Sequence, residues 1–241
     1  MRRRGTPLLI GAVLAFIASL LLHGLSLLNA PHLAPDDALA TPMADNPIDM
    51  VDLLLAPQSP VALSLMAVLG CGLLYHALRR QDPEAAPAQG PLEVGLLAGA
   101  FWPWLELHQP VAALALAGLM LVALLRAALA GLRHDGRGRS SATLAFAAGW
   151  ATLAGMAMLA SVLQYRLGAP PLLAAAISLM LATLLSVNIQ LRLGRTISYS
   201  IALIWGLIAI AAGAMLASIG LAAMAVLAIA VIAVALVQAS T

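Results

Sequence analysis

Long apolar runs alternate with short polar segments along the whole chain. A transmembrane helix needs roughly 20 apolar residues, and eight runs approach or exceed that length. The third run is short, and a tight break around Ser218 and Gly220 separates the last two. The pattern predicts an all-α integral membrane protein with a single transmembrane domain of about eight helices. They span about 7–28, 60–78, 92–107, 110–132, 142–164, 171–191, 197–217 and 219–239.

Composition agrees with this class. The chain is 63% hydrophobic and 9% charged, whereas soluble domains carry about 25% charged residues. The single cysteine, Cys71, excludes an intramolecular disulfide and a multi-cysteine metal site. Every basic residue is an arginine and alanine is abundant, which suggests a GC-rich bacterial genome and hence a multi-pass protein of the bacterial inner membrane. The arginines lie at helix ends, so we expect the lipid bilayer, and no nucleic acid, as a partner.

Arginine placement predicts the orientation, because cytoplasmic loops carry an excess of positive charge. With the N-terminus in the cytoplasm, both termini are cytoplasmic and only Arg166 falls outside. An alternative is that the first run is a signal peptide cleaved near Ala30, although the run is longer than usual for one. The arginines placed inside are Arg2, Arg3, Arg4, Arg79, Arg80, Arg126, Arg133, Arg137, Arg139, Arg192 and Arg195.

The segment 29–59 is predicted to be an external, acidic, proline-rich loop. Its aspartates do not follow the D-x-D-x-D-G spacing of a calcium loop. A solvated loop stiffened by proline is favoured over a site for a divalent cation or a cationic partner. It contains Asp36, Asp37, Asp45, Asp49 and Asp52 with Pro31, Pro35, Pro42, Pro47 and Pro57.

Ionisable residues deep in the predicted helices are few, and no catalytic, phosphate-binding or metal-binding motif occurs. We therefore do not expect an enzyme, a cofactor or a metal site. Transport of a small or lipidic solute stays open, because the run 171–191 carries several polar side chains. Interhelical hydrogen bonding is the favoured interpretation of these residues, which are Ser178, Thr183, Ser186, Asn188 and Gln190.

Tryptophan occurs at unusual depth. Trp150 and Trp205 each lie about eight residues into their helices, roughly 12 Å along the axis, whereas tryptophan prefers the membrane interfaces. Helix packing and an aromatic wall around an apolar ligand are the competing explanations. Stripes of small residues predict close packing within a monomer, in a homodimer or with a membrane-protein partner. They comprise Ala147, Ala151 and Gly155, then Tyr199, Ala202, Gly206, Ala209, Gly213 and Ala217, and the pair Gly95 and Gly99.

Two segments, FAAGWATLAGMAMLASVL (146–163) and ISYSIALIWGLIAIA (197–211), resemble helices of the tryptophan-rich sensory protein (TspO/MBR-related) family. The stretch FWPWLELHQPVAALALAGLMLVALL (101–125) is similar to that family's tryptophan-containing helix, short turn and following helix. The segment SLMAVLGCGLLYH, by contrast, lacks the tryptophan and phenylalanine of the family's second helix.

The resemblance implies a non-enzymatic sensory or regulatory protein that binds an apolar, tetrapyrrole-like ligand such as a porphyrin. It makes Trp104, Trp150, Tyr199 and Trp205 the candidate pocket residues. A transporter and a structural or assembly subunit of a membrane complex are the alternative functions.

Overall fold

The computed structural model describes residues 5–29, 49–55, 59–79, 86–106, 108–130, 141–194, 196–215 and 218–240. The arginines at 2–4 and the aspartates at 36, 37 and 45 lie outside these ranges. Within them the chain is helical, apart from short turns. The helices are α1 (Gly5–Asn29), α2 (Met50–Leu55), α3 (Pro60–Arg79), α4 (Ala86–Leu105), α5 (Pro110–Ala130), α6 (Ala142–Leu167), α7 (Pro171–Leu193), α8 (Ser198–Ala214) and α9 (Ile219–Ser240).

Within the described ranges, six helices are long and apolar enough to cross a membrane: α1, α3, α5, α6, α7 and α9. The predicted multi-pass membrane protein is therefore supported. Two further helices of the predicted set, α4 with Pro91 and Pro103 inside it and the 17-residue α8, are not among these six. The count of eight spans with both termini in the cytoplasm stays a prediction.

Helix α6 forms the centre of the bundle. It packs against α2, α3, α5, α7 and α8. Of its most apolar stretch, 78% is buried, against 28–44% in the other five spanning-length helices. The sequence accounts for this, because α6 is rich in alanine and glycine and lets helices approach on every side. A helix that is apolar all round is expected in the interior of a bundle.

The two ends of the bundle differ in chemistry. We call the end where α1, α4 and α6 finish the α2 end, because α2 lies there. We call the opposite end, which carries Arg126 and Arg192 near the ends of α5 and α7, the arginine end. The positive-inside rule predicts that the arginine end faces the cytoplasm.

The short helix α2 was not predicted. The expectation of a solvated loop is wrong for its apolar residues, because Met50, Val51, Leu54 and Leu55 are buried. These side chains lie between α1, α3, α6 and α8. The apolar run MVDLLL is short and lies within a segment rich in proline and aspartate, so the sequence pattern did not indicate a helix there. Burial of that run, rather than its helix propensity, stabilises a helix this short.

Helix α4 begins before the predicted position 92. Pro91 therefore lies inside the helix, where proline removes a backbone hydrogen bond. Tertiary and local contacts compensate for that loss. Ala88 is buried in the core, and the Gln89 amide donates to the Glu93 carboxylate at 3.0 Å, one helical turn later.

Small residues create the closest helix contacts. A methyl group added at Gly149 on α6 would collide with the backbone carbonyl of Tyr199 on α8. One added at Gly206 on α8 would meet the side chain of Leu153 on α6. The predicted stripe on α8 is therefore used within the chain, where it seats α8 against α6.

Candidate functional site at the α2 end

Two of the four predicted pocket residues are completely enclosed. Trp150 and Tyr199 have no exposed surface. The Trp150 ring meets Phe16 of α1 edge to face, with the centroids 5.6 Å apart, and its Nε1 has no hydrogen-bond partner among the described residues. The Tyr199 hydroxyl lies 3.1 Å from Thr152 Oγ1. Both residues are packed as interior side chains between helices.

The other two lie in different surroundings. Trp205 is partly buried and meets Phe146 edge to face at 6.3 Å. Trp104 is 49% exposed and donates from Nε1 to Ser19 Oγ at 2.7 Å. The ring of Trp104 also lies edge-on to His23, with centroids 6.0 Å apart. Each of the four candidates thus has its own partners, and Trp150 pairs with a phenylalanine rather than with Trp205.

Polar side chains converge near Trp104 instead. Ser19 accepts the Trp104 bond and itself donates to the carbonyl of Ala100 at 2.5 Å. His23, one turn further along α1, is only 6% exposed. Its Nε2 atom has no hydrogen-bond partner in the described part of the chain. The sequence places His23 in the outer part of the first apolar run, and no motif there indicates a role for it.

Three carboxyl groups share this end of the bundle. The Asp49 carboxylate accepts from the backbone N–H groups of Val51 at 2.9 Å and Asp52 at 3.2 Å, so it caps α2. Glu106, directly after α4, accepts from Ser161 Oγ of α6 at 3.3 Å. The carboxyls of Asp49, Asp52 and Glu106 are close enough for their charges to interact.

This placement raises the affinity of the carboxyls for protons. Burial, followed by repulsion from Asp49 and Asp52, raises the pKa of Glu106 to about 8, and the bond from Ser161 offsets only part of the shift. Loss of water around Asp52 and the charge of Asp49 raise the pKa of Asp52 to about 6, although its side chain is exposed. Burial also raises the pKa of Asp49, against its backbone hydrogen bonds and the charge of His23.

The arrangement suits protons better than a metal ion. No three histidine, cysteine, aspartate or glutamate side chains among the described residues are close enough to hold one metal ion. The three carboxylates repel each other but do not lie close enough to chelate one ion. Protonation of a carboxylate removes this repulsion and is therefore favoured. Glu106 with its pKa of about 8 is therefore protonated at neutral pH and loses its proton just above it.

The polar residues of α7 do not line one path. Thr183 and Ser186 donate to carbonyls one turn earlier on α7, and Asn188 does the same at the surface. Gln190 is buried and accepts from Ser200 Oγ of α8 at 2.6 Å, which joins α7 to α8. Ser178 is buried, and its Oγ has no partner within the described ranges. These contacts agree with the favoured interpretation of interhelical and local hydrogen bonding.

A cavity of about 310 Å³ opens between α5 and α7, toward the arginine end. The two helices both pack against α6 but make little contact with each other, which leaves a groove between them. Its walls are apolar except at one end, where Asn188 and Arg192 lie. It is lined by Leu125, Leu129, Leu185, Asn188, Ile189 and Arg192.

Comparison with known proteins gives no assignment: no family model matches the chain, and no significant match to a curated protein or a solved structure was found.

Proposed function

We propose that this multi-pass membrane protein exchanges protons for a small organic cation at the carboxyl cluster of the α2 end, as part of a transport function. The proposal rests on the surroundings of Glu106. Its carboxyl is largely desolvated, accepts a hydrogen bond from Ser161, and faces the charges of Asp49 and Asp52. Ionisable groups placed this way in membrane proteins typically mark ion or proton pathways.

The electrostatics explain why a proton and a cation would compete. The carboxyls repel each other when all are ionised, and either a proton or a bound cation relieves that repulsion. The half-exposed ring of Trp104 contacts His23, which interacts electrostatically with Asp49 of the same site. An aromatic face stabilises an organic cation by about 0.5–2 kcal/mol. Among the described residues, no three metal-ligating side chains lie close enough to hold one metal ion. An organic cation therefore fits the site better than a metal ion.

Proton release tests this function directly. Purified protein in weakly buffered detergent at pH 7 is titrated with tetraphenylphosphonium while a pH indicator is followed. We expect the cation to release protons from the wild-type protein and to release far fewer from Glu106→Gln. Glu93→Gln is the matched control, since Glu93 lies near the opposite end of the same helix and bonds Gln89. Equal proton release from wild type and Glu106→Gln would reject the proposal.

A second candidate is the tetrapyrrole-binding, sensory role implied by the resemblance to tryptophan-rich sensory proteins. The observation that favours it is the ring contact of Trp205, which is partly exposed on α8, with the buried Phe146 of α6. Porphyrin titration should then quench Trp205 fluorescence. Loss of quenching in Trp205→Phe, but not in a Trp102→Phe control with a fully buried ring, would support this role. Undiminished quenching in Trp205→Phe would exclude that surface.

A further inference from the structure

The groove between α5 and α7 has the shape and chemistry of a lipid site, and it is separate from the carboxyl cluster. On α7, Leu185, Ile189 and Arg192 lie three or four residues apart and therefore share one helix face. On α5, Leu125 and Leu129 present a facing apolar stripe. From this geometry we propose that the groove holds an anionic phospholipid, with its acyl chain between the helices and its phosphate on Arg192.

The surroundings of the groove require an apolar occupant. Neighbouring residues of the same two helices, such as Val122, Leu181 and Leu184, are exposed on the bundle surface. In helices long and apolar enough to cross a membrane, such a surface contacts lipid chains rather than water. An acyl chain therefore fills the groove at no cost in polar desolvation, because it passes from one apolar environment to another and gains packing contacts there.

The polar end of the groove selects the headgroup. Arg192 is the charged residue among the lining side chains, and Asn188 lies one turn before it on the same face. A guanidinium binds phosphate through paired hydrogen bonds. The Asn188 amide, which donates to the Leu184 carbonyl of the same helix, adds a second polar group at this end of the groove. Basic pockets between helices on the cytoplasmic side are typical sites for anionic lipid headgroups, and the arginine end is the predicted cytoplasmic end.

The test measures lipid retention by delipidated full-length protein in dodecyl maltoside. Phosphatidylglycerol or phosphatidylcholine is added, and bound lipid is counted by native mass spectrometry after a fixed wash. We expect retention of phosphatidylglycerol in preference to phosphatidylcholine. Arg192→Gln should bind phosphatidylglycerol about fivefold more weakly, which corresponds to about 1 kcal/mol for one basic residue. Glycerol 3-phosphate without an acyl chain should not compete.

Three further variants distinguish a specific lipid site from general electrostatic attraction. Arg126→Gln removes an exposed arginine next to Leu125 that does not line the groove, and it should retain lipid as the wild type does. Leu185→Trp fills the groove and should abolish retention with an unchanged melting temperature. If the Leu185→Trp variant does not fold, Leu129→Phe is used to fill the groove instead. Wild-type affinity in Arg192→Gln, an equal loss in Arg126→Gln, or equal retention of both lipids would each overturn the proposal.

Discussion

Gly149 offers the sharpest test of the packing at the centre of the bundle. A Cβ at this position would overlap the carbonyl oxygen of Tyr199 and would also lie 3.0 Å from the Cβ of Ala202. The carbonyl belongs to helix backbone and cannot rotate away, so α8 as a whole must move. Overpacking of this kind typically costs about 1–3 kcal/mol, and a rigid obstacle predicts the upper part of that range.

Gly155 on the same helix provides the control. A Cβ there would lie 3.9 Å from the nearest atom, an ordinary van der Waals contact. Both substitutions by alanine gain the same helix propensity, up to about 1 kcal/mol. The difference between Gly149→Ala and Gly155→Ala therefore isolates the steric term. We expect Gly149→Ala to be less stable than Gly155→Ala by about 2–3 kcal/mol.

The assay is reversible unfolding in mixed dodecylphosphocholine and sodium dodecyl sulfate micelles, followed by tryptophan fluorescence. A second pair of variants shows whether an added methyl group meets side chain or backbone. At Gly206 it meets the end of the Leu153 side chain, so Leu153→Ala should restore the stability lost in Gly206→Ala. Tyr199→Phe should not rescue Gly149→Ala, because the collision involves backbone. Equal stability of Gly149→Ala and Gly155→Ala would refute the assigned contact between α6 and α8.

Three further outcomes follow from the same contacts. Since the native state holds the Glu106 proton up to about pH 8 while the unfolded chain releases it near 4.5, the native state binds more protons in this window. Stability should therefore fall as pH rises from 4.5 to 8, and Glu106→Gln should flatten that part of a melting-temperature profile. Ser200→Ala removes the hydroxyl that donates to the buried Gln190 side chain, and it should lower the free energy of unfolding in micelles by about 1–3 kcal/mol. Ser178→Ala removes a buried hydroxyl that has no partner in the described ranges, so it should be neutral or stabilising. Gly213→Leu collides with the side chain of Leu53 and should displace α2 together with Asp49 and Asp52. The pKa of Glu106 should then be lower, so the fall in stability should end at a lower pH. An unchanged pH profile would contradict this.

The apolar pattern was sufficient to predict helices wherever a run was long. It predicted the central helix and its stripe of Ala147, Ala151 and Gly155. It could not identify Gly149 as the position that meets the backbone of α8, because that depends on where α8 passes. Buried residues follow one another along most of α6, so no periodicity distinguishes the face toward α8.

The candidate site could be predicted less well, for a physical reason. The aromatic residues were predicted as a pocket from the depth of Trp150 and Trp205 in their helices and from the family resemblance, but neither shows which indoles lie close together. The carboxyl cluster combines Asp49 and Asp52 with Glu106 from a distant part of the chain. A usable signal was present in MVDLLL, an apolar run that follows Asp49 as a helix cap inside an acidic segment.

The small residues of α8 help to explain why the carboxyls lie where they do. Gly206 and Gly213 lie seven residues apart, and Leu54 and Leu53 of α2 lie against them. Side chains at those two positions would occupy the space that α2 fills. The sequence suggested these glycines as a seam for another helix or another protomer, and in the structure they accommodate a helix of only six residues. Because Asp49 caps that helix and Asp52 belongs to it, seating α2 on α8 also brings both carboxyls toward Glu106. The raised proton affinity of Glu106 is therefore partly a consequence of glycine placement on a helix that carries no acidic residue itself.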